Sequence, residues 1–200
     1  MKKTRFDQMQ AQLLQHLEPA QGARVTEAMQ KEYASLCKAY ENQPEAMVNH
    51  THNNIFPVVT AFHALMAEGM ERSEAAELAS AAFLELMEKT AGSIRSMLRL
   101  PGLYRTIPWL FRTLMPKLFR EEAGFRFRMY DTPGGQAKFD MLECPYYRMC
   151  RELDCIELAA TFCTTDDICY GHMHPKLIWN RTKTLARGGD LCDFHIYIQK

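Results

Sequence analysis

The 200-residue sequence has no excess of either charge, because 24 lysines and arginines balance 24 aspartates and glutamates. A chain without net positive charge lacks the global field that attracts nucleic acid, which argues against that class of partner. No stretch approaches the ~18 consecutive apolar residues of a transmembrane helix. The opening MKKTRFDQMQ has two lysines but no apolar run after them, so we expect neither a secretory signal nor a transmembrane segment.

Several common catalytic motifs are missing as well. The sequence contains no P-loop, G-x-G-x-x-G, G-x-S-x-G or H-E-x-x-H, which argues against the usual nucleotide-binding, hydrolase-elbow and zinc-protease sites. Its seven cysteines include no C-x-x-C pair, although zinc or another divalent metal is left open. An odd number of cysteines without an export signal predicts reduced thiols and a cytoplasmic location.

The hydrophobic pattern predicts a single α+β domain, with a helical N-terminal half packed on a C-terminal antiparallel sheet of about four strands. Helical spacing of apolar residues covers residues 1–50, interpreted as a helical N-terminal extension, and 51–123, the helical part. From 124 to 200 the apolar period is two, in two hairpins with turns at 131–135 and 187–190. This sheet-forming part contains the residues singled out below.

Residues 89–120 contain seven basic side chains and no acidic one. Their apolar residues recur at helical spacing, which predicts a basic amphipathic helix. Such a helix can pack with a solvated basic face, shape a pocket for a carboxylate, or lie on an anionic membrane. The sequence alone leaves these three alternatives open.

Cys144 is a candidate nucleophile. It precedes Pro145, and proline is favoured at the first helical position, so Cys144 would lie at a helix N-terminus. The helix dipole and the free N–H groups there favour a thiolate. The alternative is a small buried cysteine at a strand-to-helix corner.

Cys163 is followed by two threonines and then by Asp166 and Asp167. Either threonine could cap a new short helix that has both aspartates in its first turn. Adjacent residues do not share a helical face, so one aspartate could orient a water or a cationic amidine while the other caps. Capping by both aspartates is the alternative.

The last predicted strand has two different faces. Alternation places Cys192, Phe194, Ile196 and Ile198 on a core face and Asp193, His195 and Tyr197 on the other. Asp193 and His195 could form an acid–base pair, or they could take part in ordinary cross-strand pairing on a wet face. Arg181 and Lys183 would share one face of the preceding strand, where a cation suits a small zwitterionic substrate.

The His172-Met173-His174 triplet would direct both imidazoles to the same side of an extended segment. That arrangement could supply half of a metal site. It is weak evidence alone, because metal sites usually need three or four ligands.

The C-terminal third resembles the L-2-amino-thiazoline-4-carboxylic acid hydrolase family. The most specific part is Arg-Thr-x-Thr-Leu-Ala-x-Gly-Gly-Asp-x-Cys-Asp-Phe at 181–194, preceded by Cys-Thr-Thr-Asp-Asp at 163–167 and Tyr-Gly-His-Met-His-Pro at 170–175. Cys144-Pro145-Tyr146 matches more loosely. The resemblance is good over roughly residues 140–195 and vague before residue 50.

The resemblance implies a hydrolase that opens a small cyclic amidine or thiazoline ring at a carbon–nitrogen bond, giving an N-carbamoyl amino acid such as N-carbamoyl-cysteine. A small-molecule substrate and no required cofactor are expected, and a homo-oligomer is left open. The candidate catalytic residues are Asp193, His195, Asp166, Asp167, Cys163 and Cys144. The candidate substrate-binding residues are Arg181, Thr182, Asp190, His172 and His174.

Two other functions remain in competition. The chain could be a non-catalytic small-molecule sensor or binding module with a cysteine-bound zinc. It could also be a structural partner protein that uses the basic amphipathic stretch.

Overall fold

The computed structural model describes residues 4–199. The helices are α1 (Arg5–Leu13), α2 (Pro19–Ala39), α3 (Glu45–His50), α4 (Phe56–Ala67), α5 (Arg72–Leu98), α6 (Ile107–Leu118), α7 (Pro145–Glu152) and α8 (Ala159–Tyr170). The strands are β1 (Arg126–Tyr130), β2 (Gln136–Glu143), β3 (Leu177–Asn180) and β4 (Cys192–Ile198). Helices α1 to α6 precede a four-stranded antiparallel sheet, and α7 and α8 lie between β2 and β3, so the predicted α+β class is confirmed.

The chain forms two compact units. One contains the chain up to Leu86 together with Arg148–Thr161, and the other contains Met87–Tyr147 and the chain from Phe162 onward. The boundaries fall inside α5, α7 and α8, so three helices contribute residues to both units. The single-domain organisation stays a prediction.

The first unit is helical because its apolar residues repeat every three or four positions. Met9 and Leu13 of α1, and Val25 and Met29 of α2, are fully buried one turn apart, and α1 and α2 both contact α4. Burying one such side chain contributes about 1.5–3 kcal/mol, which outweighs the weak propensity of short helices. Among the described residues, no helix is long and apolar enough to cross a membrane.

The second unit contains the sheet, in the order β1-β2-β4-β3. The two predicted hairpins are present, and β2 pairs with β4 so that Phe139 lies opposite Phe194, with ring centroids 4.7 Å apart. The alternation of β4 is as predicted for its first five residues, since Cys192, Phe194 and Ile196 are buried. Helix α6 contacts β2 and β4.

The second hairpin differs from the prediction in one respect that matters for the site. The predicted strand from Leu177 to Leu185 ends at Asn180, so Arg181 leaves the sheet instead of sharing a strand face with Lys183. The chain then reverses through Gly188, whose φ is +82°, and Gly189, where a Cβ would lie 2.8 Å from the Thr184 carbonyl oxygen. The two glycines therefore serve a tight backbone reversal.

Candidate active site

Helix α8 contributes most of the acidic and thiol groups of the candidate site. The prediction that Thr164 or Thr165 caps a new helix is wrong, because α8 begins at Ala159 and both threonines lie inside it. The Thr165 hydroxyl donates to the Phe162 carbonyl at 2.7 Å, a bond within the helix. Cys163 and Asp166 are three residues apart and therefore lie on the same side of the helix, and they influence each other electrostatically.

Arg181 joins these groups from the end of β3. Its guanidinium donates to Asp167 at 2.6 Å, to Asp166 at 3.3 Å and to the Cys163 carbonyl at 2.8 Å. Only 3% of its side chain is exposed, and its charged end lies 5.3 Å from the centre of the Phe194 ring. A planar fork of N–H groups can satisfy two diverging carboxylates, so the adjacent aspartates share one partner although they do not share a helical face.

The two aspartates nevertheless have different surroundings. Asp167 accepts a second hydrogen bond, from the Trp179 indole N–H at 3.1 Å, and so is tied to both Arg181 and β3. Asp166 has only the longer contact to Arg181, although the two aspartate side chains are equally exposed, at 40% each. Asp167 therefore holds the arrangement together, whereas Asp166 retains oxygen atoms that can reach another group.

The pKa of Asp166 is raised to about 7. Desolvation is the largest cause and the charge of Asp167 adds to it, while Arg181 acts in the opposite direction. A carboxyl group with this pKa is about half protonated at neutral pH, so it can accept or donate a proton there.

Three cysteines, Cys144, Cys163 and Cys192, are close enough to affect each other's ionisation. The predicted position of Cys144 is confirmed, since α7 begins at Pro145 and the backbone N–H groups of the first turn lower the pKa of the thiol. Burial outweighs them and raises that pKa to about 12. The predicted thiolate at Cys144 is therefore not supported.

Burial also keeps the other two cysteines protonated. It raises the pKa of Cys192 to about 11 and raises that of Cys163, although Arg181 and Arg187 act to lower the latter. Thr184, with only 2% of its surface exposed, lies close enough to Cys163 to lower the pKa of that thiol. Within residues 4–199 its hydroxyl oxygen has no hydrogen-bond partner of regular geometry. Such a buried hydroxyl is available to a water or a ligand.

One family model matches residues 48–196, well over half of the 200 residues, and its description is L-2-amino-thiazoline-4-carboxylic acid hydrolase. The chain belongs to the L-2-amino-thiazoline-4-carboxylic acid hydrolase family. The match extends about 90 residues further toward the N-terminus than the motifs, so the resemblance reaches beyond the sheet and α8. No curated protein and no solved structure matches the chain.

Within the family motif at 181–194, Asp193 has a different environment from the one expected. Its carboxylate accepts the backbone N–H groups of Thr182 at 2.9 Å and Lys183 at 2.7 Å, and the Thr182 hydroxyl at 2.6 Å. Burial alone would raise its pKa, but these bonds outweigh that effect and lower it. Asp193 is therefore an ionised clamp on the turn that directly follows Arg181.

The expected acid–base pair of Asp193 and His195 is not formed. The His195 ring hydrogen-bonds the Gln136 side chain at 2.9 Å, and burial together with Lys138 lowers the pKa of the imidazole. Residues two apart on a strand share a face, but these two side chains bind other partners. Asp193 binds the turn at 182–183, and His195 binds Gln136 on the adjacent strand β2.

The remaining predicted substrate-binding residues lie outside this cluster. Asp190 pairs with the Lys183 ammonium at 2.5 Å, and Thr182 is engaged by Asp193. His174 stacks on Tyr104 at 3.9 Å between centroids and accepts the Lys176 N–H, while His172 is exposed. Among the described residues, no three histidine, cysteine or acidic side chains are arranged to hold a metal ion.

Arg187 is the residue that the sequence analysis overlooked. Its guanidinium is exposed, donates to the Thr164 hydroxyl at 3.2 Å and lies close enough to Cys163 to lower the pKa of that thiol. It occupies a variable position of the motif, between Ala186 and Gly188, so the motif itself drew no attention to it. Arg187 ends a short 3₁₀ turn, and the sequence does not show that this turn lies beside the middle of α8.

Proposed function

We propose that this protein hydrolyses a small cyclic amidine of the 2-amino-thiazoline-4-carboxylate type, with Asp166 as the group that transfers protons. Membership of the hydrolase family gives the reaction class. The observation that carries the residue assignment is the Asp166 carboxyl, partly exposed, with a pKa of about 7 beside the buried Arg181. A general acid or base is most effective when its pKa lies near the operating pH.

The chemistry of the ring defines what the site must do. The carbon under attack bears the ring sulfur, a ring nitrogen and an exocyclic nitrogen. Water adds to this carbon and loses a proton, and the tetrahedral intermediate then expels one ring atom, which takes up a proton. N-carbamoyl-cysteine keeps both nitrogens on that carbon, so its formation breaks the carbon–sulfur bond. Breaking the ring carbon–nitrogen bond would give the isomer S-carbamoyl-cysteine.

Asp166 can serve both proton transfers. As a carboxylate it takes a proton from the attacking water, and as a carboxylic acid it returns a proton to the leaving sulfur or nitrogen. Arg181 and Asp167 are positioning residues in this scheme, because they hold the orientation of Asp166 and tune its pKa. The Thr184 hydroxyl is a suitable partner for the water.

Arg187 is better suited than Arg181 to bind the substrate carboxylate. The charge of Arg181 is already matched by two carboxylates and its side chain is almost fully buried. Arg187 is exposed beside Cys163, and the hydroxyl of Thr164 is its side-chain partner there. A guanidinium with open N–H groups can bind a carboxylate in a bidentate manner.

Covalent catalysis by Cys163 is the competing route within the same function. The thiol is next to Asp166, but its raised pKa means that a base must deprotonate it before attack. Cys163→Ala separates the two routes. It should retain most of the turnover if water attacks directly, and it should abolish turnover if a thioether-like adduct on Cys163 is required.

The test uses purified protein and L-2-amino-thiazoline-4-carboxylate, with mass spectrometry of the product and a thiol reagent. Release of one thiol per turnover identifies carbon–sulfur cleavage, whereas a new primary amine without a thiol identifies carbon–nitrogen cleavage. Asp166→Asn should lower kcat by at least 100-fold, the usual scale for loss of a general acid–base group. A chelator added to parallel reactions tests the metal dependence.

Arg187→Gln is the matched variant for substrate binding. Loss of a charged hydrogen-bond partner should raise KM by roughly tenfold or more for the carboxylate substrate and much less for 2-amino-2-thiazoline, which lacks the carboxylate. No turnover of any cyclic amidine by the wild type would refute the proposed function. Equal effects of Arg187→Gln on both compounds would refute only the role of Arg187.

A further inference from the structure

The outward face of α6 exposes large apolar side chains. Trp109 is 65% exposed, with Leu110 also on the surface, while Ile107 and Met115 on the other side of the helix are buried. Leu118, 56% exposed, lies in the last turn on the Ile107 and Met115 side. The helix is fixed in this orientation, since it contacts β2 and β4. An exposed indole next to a leucine is an unusual surface for a chain that can bury its apolar residues elsewhere.

The same face is bordered by cations. Arg105 lies in the 3₁₀ turn that precedes α6, and Lys117 lies eight residues after Trp109, about 80° around the helix from it. Both are exposed. Within residues 4–199 neither cation forms an ion pair, whereas Arg95 and Arg112 of the same basic stretch pair with Glu88 and Asp131. The Arg105 guanidinium contacts the Tyr104 hydroxyl at 3.4 Å, a neutral partner that leaves its charge unmatched. The nearest acidic residues along the chain, Glu121 and Glu122, follow the helix and limit the basic surface on that side.

We propose that the outward face of α6 binds the surface of an anionic phospholipid membrane. Tryptophan prefers the boundary between headgroups and acyl chains, where its ring is apolar and its N–H can bind water or phosphate. Arginine and lysine on either side extend their aliphatic stems along that boundary and bring their charges to the lipid phosphates. The face therefore carries both attractions that a peripheral helix uses.

Two other occupants fit the charges less well. A second copy of the chain would bring Arg105 and Lys117 opposite the same cations in a symmetric pair, which is repulsive. Nucleic acid would satisfy the cations and a base could stack on Trp109, but the neighbouring Leu110 provides no further stacking surface. Anionic lipid satisfies both the charged and the aliphatic groups.

Co-sedimentation of the full chain with vesicles tests the proposal. At low salt the protein should pellet with phosphatidylcholine vesicles that contain about one third phosphatidylglycerol, and not with phosphatidylcholine alone. The double variant Arg105→Gln, Lys117→Gln should weaken partitioning roughly 25-fold, about fivefold for each charge. Trp109→Ala should also weaken it, and Trp109→Phe should weaken it less.

The matched control is Lys31→Gln, Lys38→Gln, which removes two exposed cations of α2 and has the same net charge. It should leave vesicle binding within about twofold, and circular dichroism should show every variant folded. Absence of pelleting at low salt, equal binding to neutral vesicles, or equal loss in the control would overturn the proposal. So would light scattering that shows a dimer broken by the α6 variants, since a second copy would then cover the face.

Discussion

Asp167→Asn offers the sharpest test of the acid–base assignment, because it changes the charge beside Asp166 without touching Asp166. In the wild type the pKa of Asp166 is raised to about 7 by desolvation and by Asp167. If its carboxylate is the base, kcat/KM should fall about tenfold per pH unit below pH 7. Removing the Asp167 charge should lower that pKa and move this limb to lower pH.

The size of the shift follows from the exposure of the pair. A like charge within a few ångströms raises a carboxyl pKa by about 1–3 units, and partial exposure of Asp166 favours the lower end. With a shift of about one unit, the ionised fraction at pH 6 rises from about one tenth to about one half, so activity relative to the plateau should rise about fivefold.

The assay is the pH dependence of kcat/KM for thiol release. Asp190→Asn is the control, because it also removes one negative charge, but Asp190 pairs with Lys183 and is not among the groups that act on Asp166. It should leave the limb in place even if KM changes. A limb that does not move in Asp167→Asn, or moves to higher pH, would refute the assignment of this limb to Asp166.

Three further changes test how the motif is built. Asp193→Asn should reduce turnover at least tenfold and lower the melting temperature without unfolding the protein, because the turn after Arg181 loses its charged clamp; activity within twofold of wild type would remove Asp193 from the machinery. Cys192→Ala should lower the free energy of unfolding by about 1–2 kcal/mol in a urea titration, with activity affected less; a normal transition with lost activity would contradict its structural role. Gly189→Ala should be destabilising by more than about 1 kcal/mol, since its Cβ would lie 2.8 and 3.0 Å from two carbonyl oxygens, whereas Gly134→Ala has open space and should be nearly neutral.

Patterns with a local cause could be predicted from the sequence. The alternation of β4 and the helical spacing of α2 depend on neighbours in the chain, and both elements formed as expected. Cys144 was correctly placed before a helix because Pro145 starts one by its own geometry. The thiolate expected at Cys144 is not supported, because the burial that keeps this thiol protonated comes from residues distant in sequence.

The partners of the polar residues could not be predicted for the same reason. Asp193 and His195 share a strand face, yet one binds the turn at 182–183 and the other binds Gln136 across the sheet. The threonines of 163–167 have the composition of a helix cap, but α8 begins four residues earlier and includes them. At β4 and at the start of α8, tertiary contacts outweighed the local preferences on which the predictions were based.

The pKa of Asp166 depends on the charges of Arg181 and Asp167 as well as on its own burial. Arg181, only 3% exposed, offers one positive charge to two carboxylates, so two ionised aspartates would leave an uncompensated negative charge. Asp167 accepts the Trp179 N–H in addition to the shorter Arg181 contact. The proton therefore goes to Asp166, the carboxyl with fewer hydrogen-bond donors. A bound cationic amidine would supply the missing positive charge and release that proton, which would ionise the base only when substrate is present.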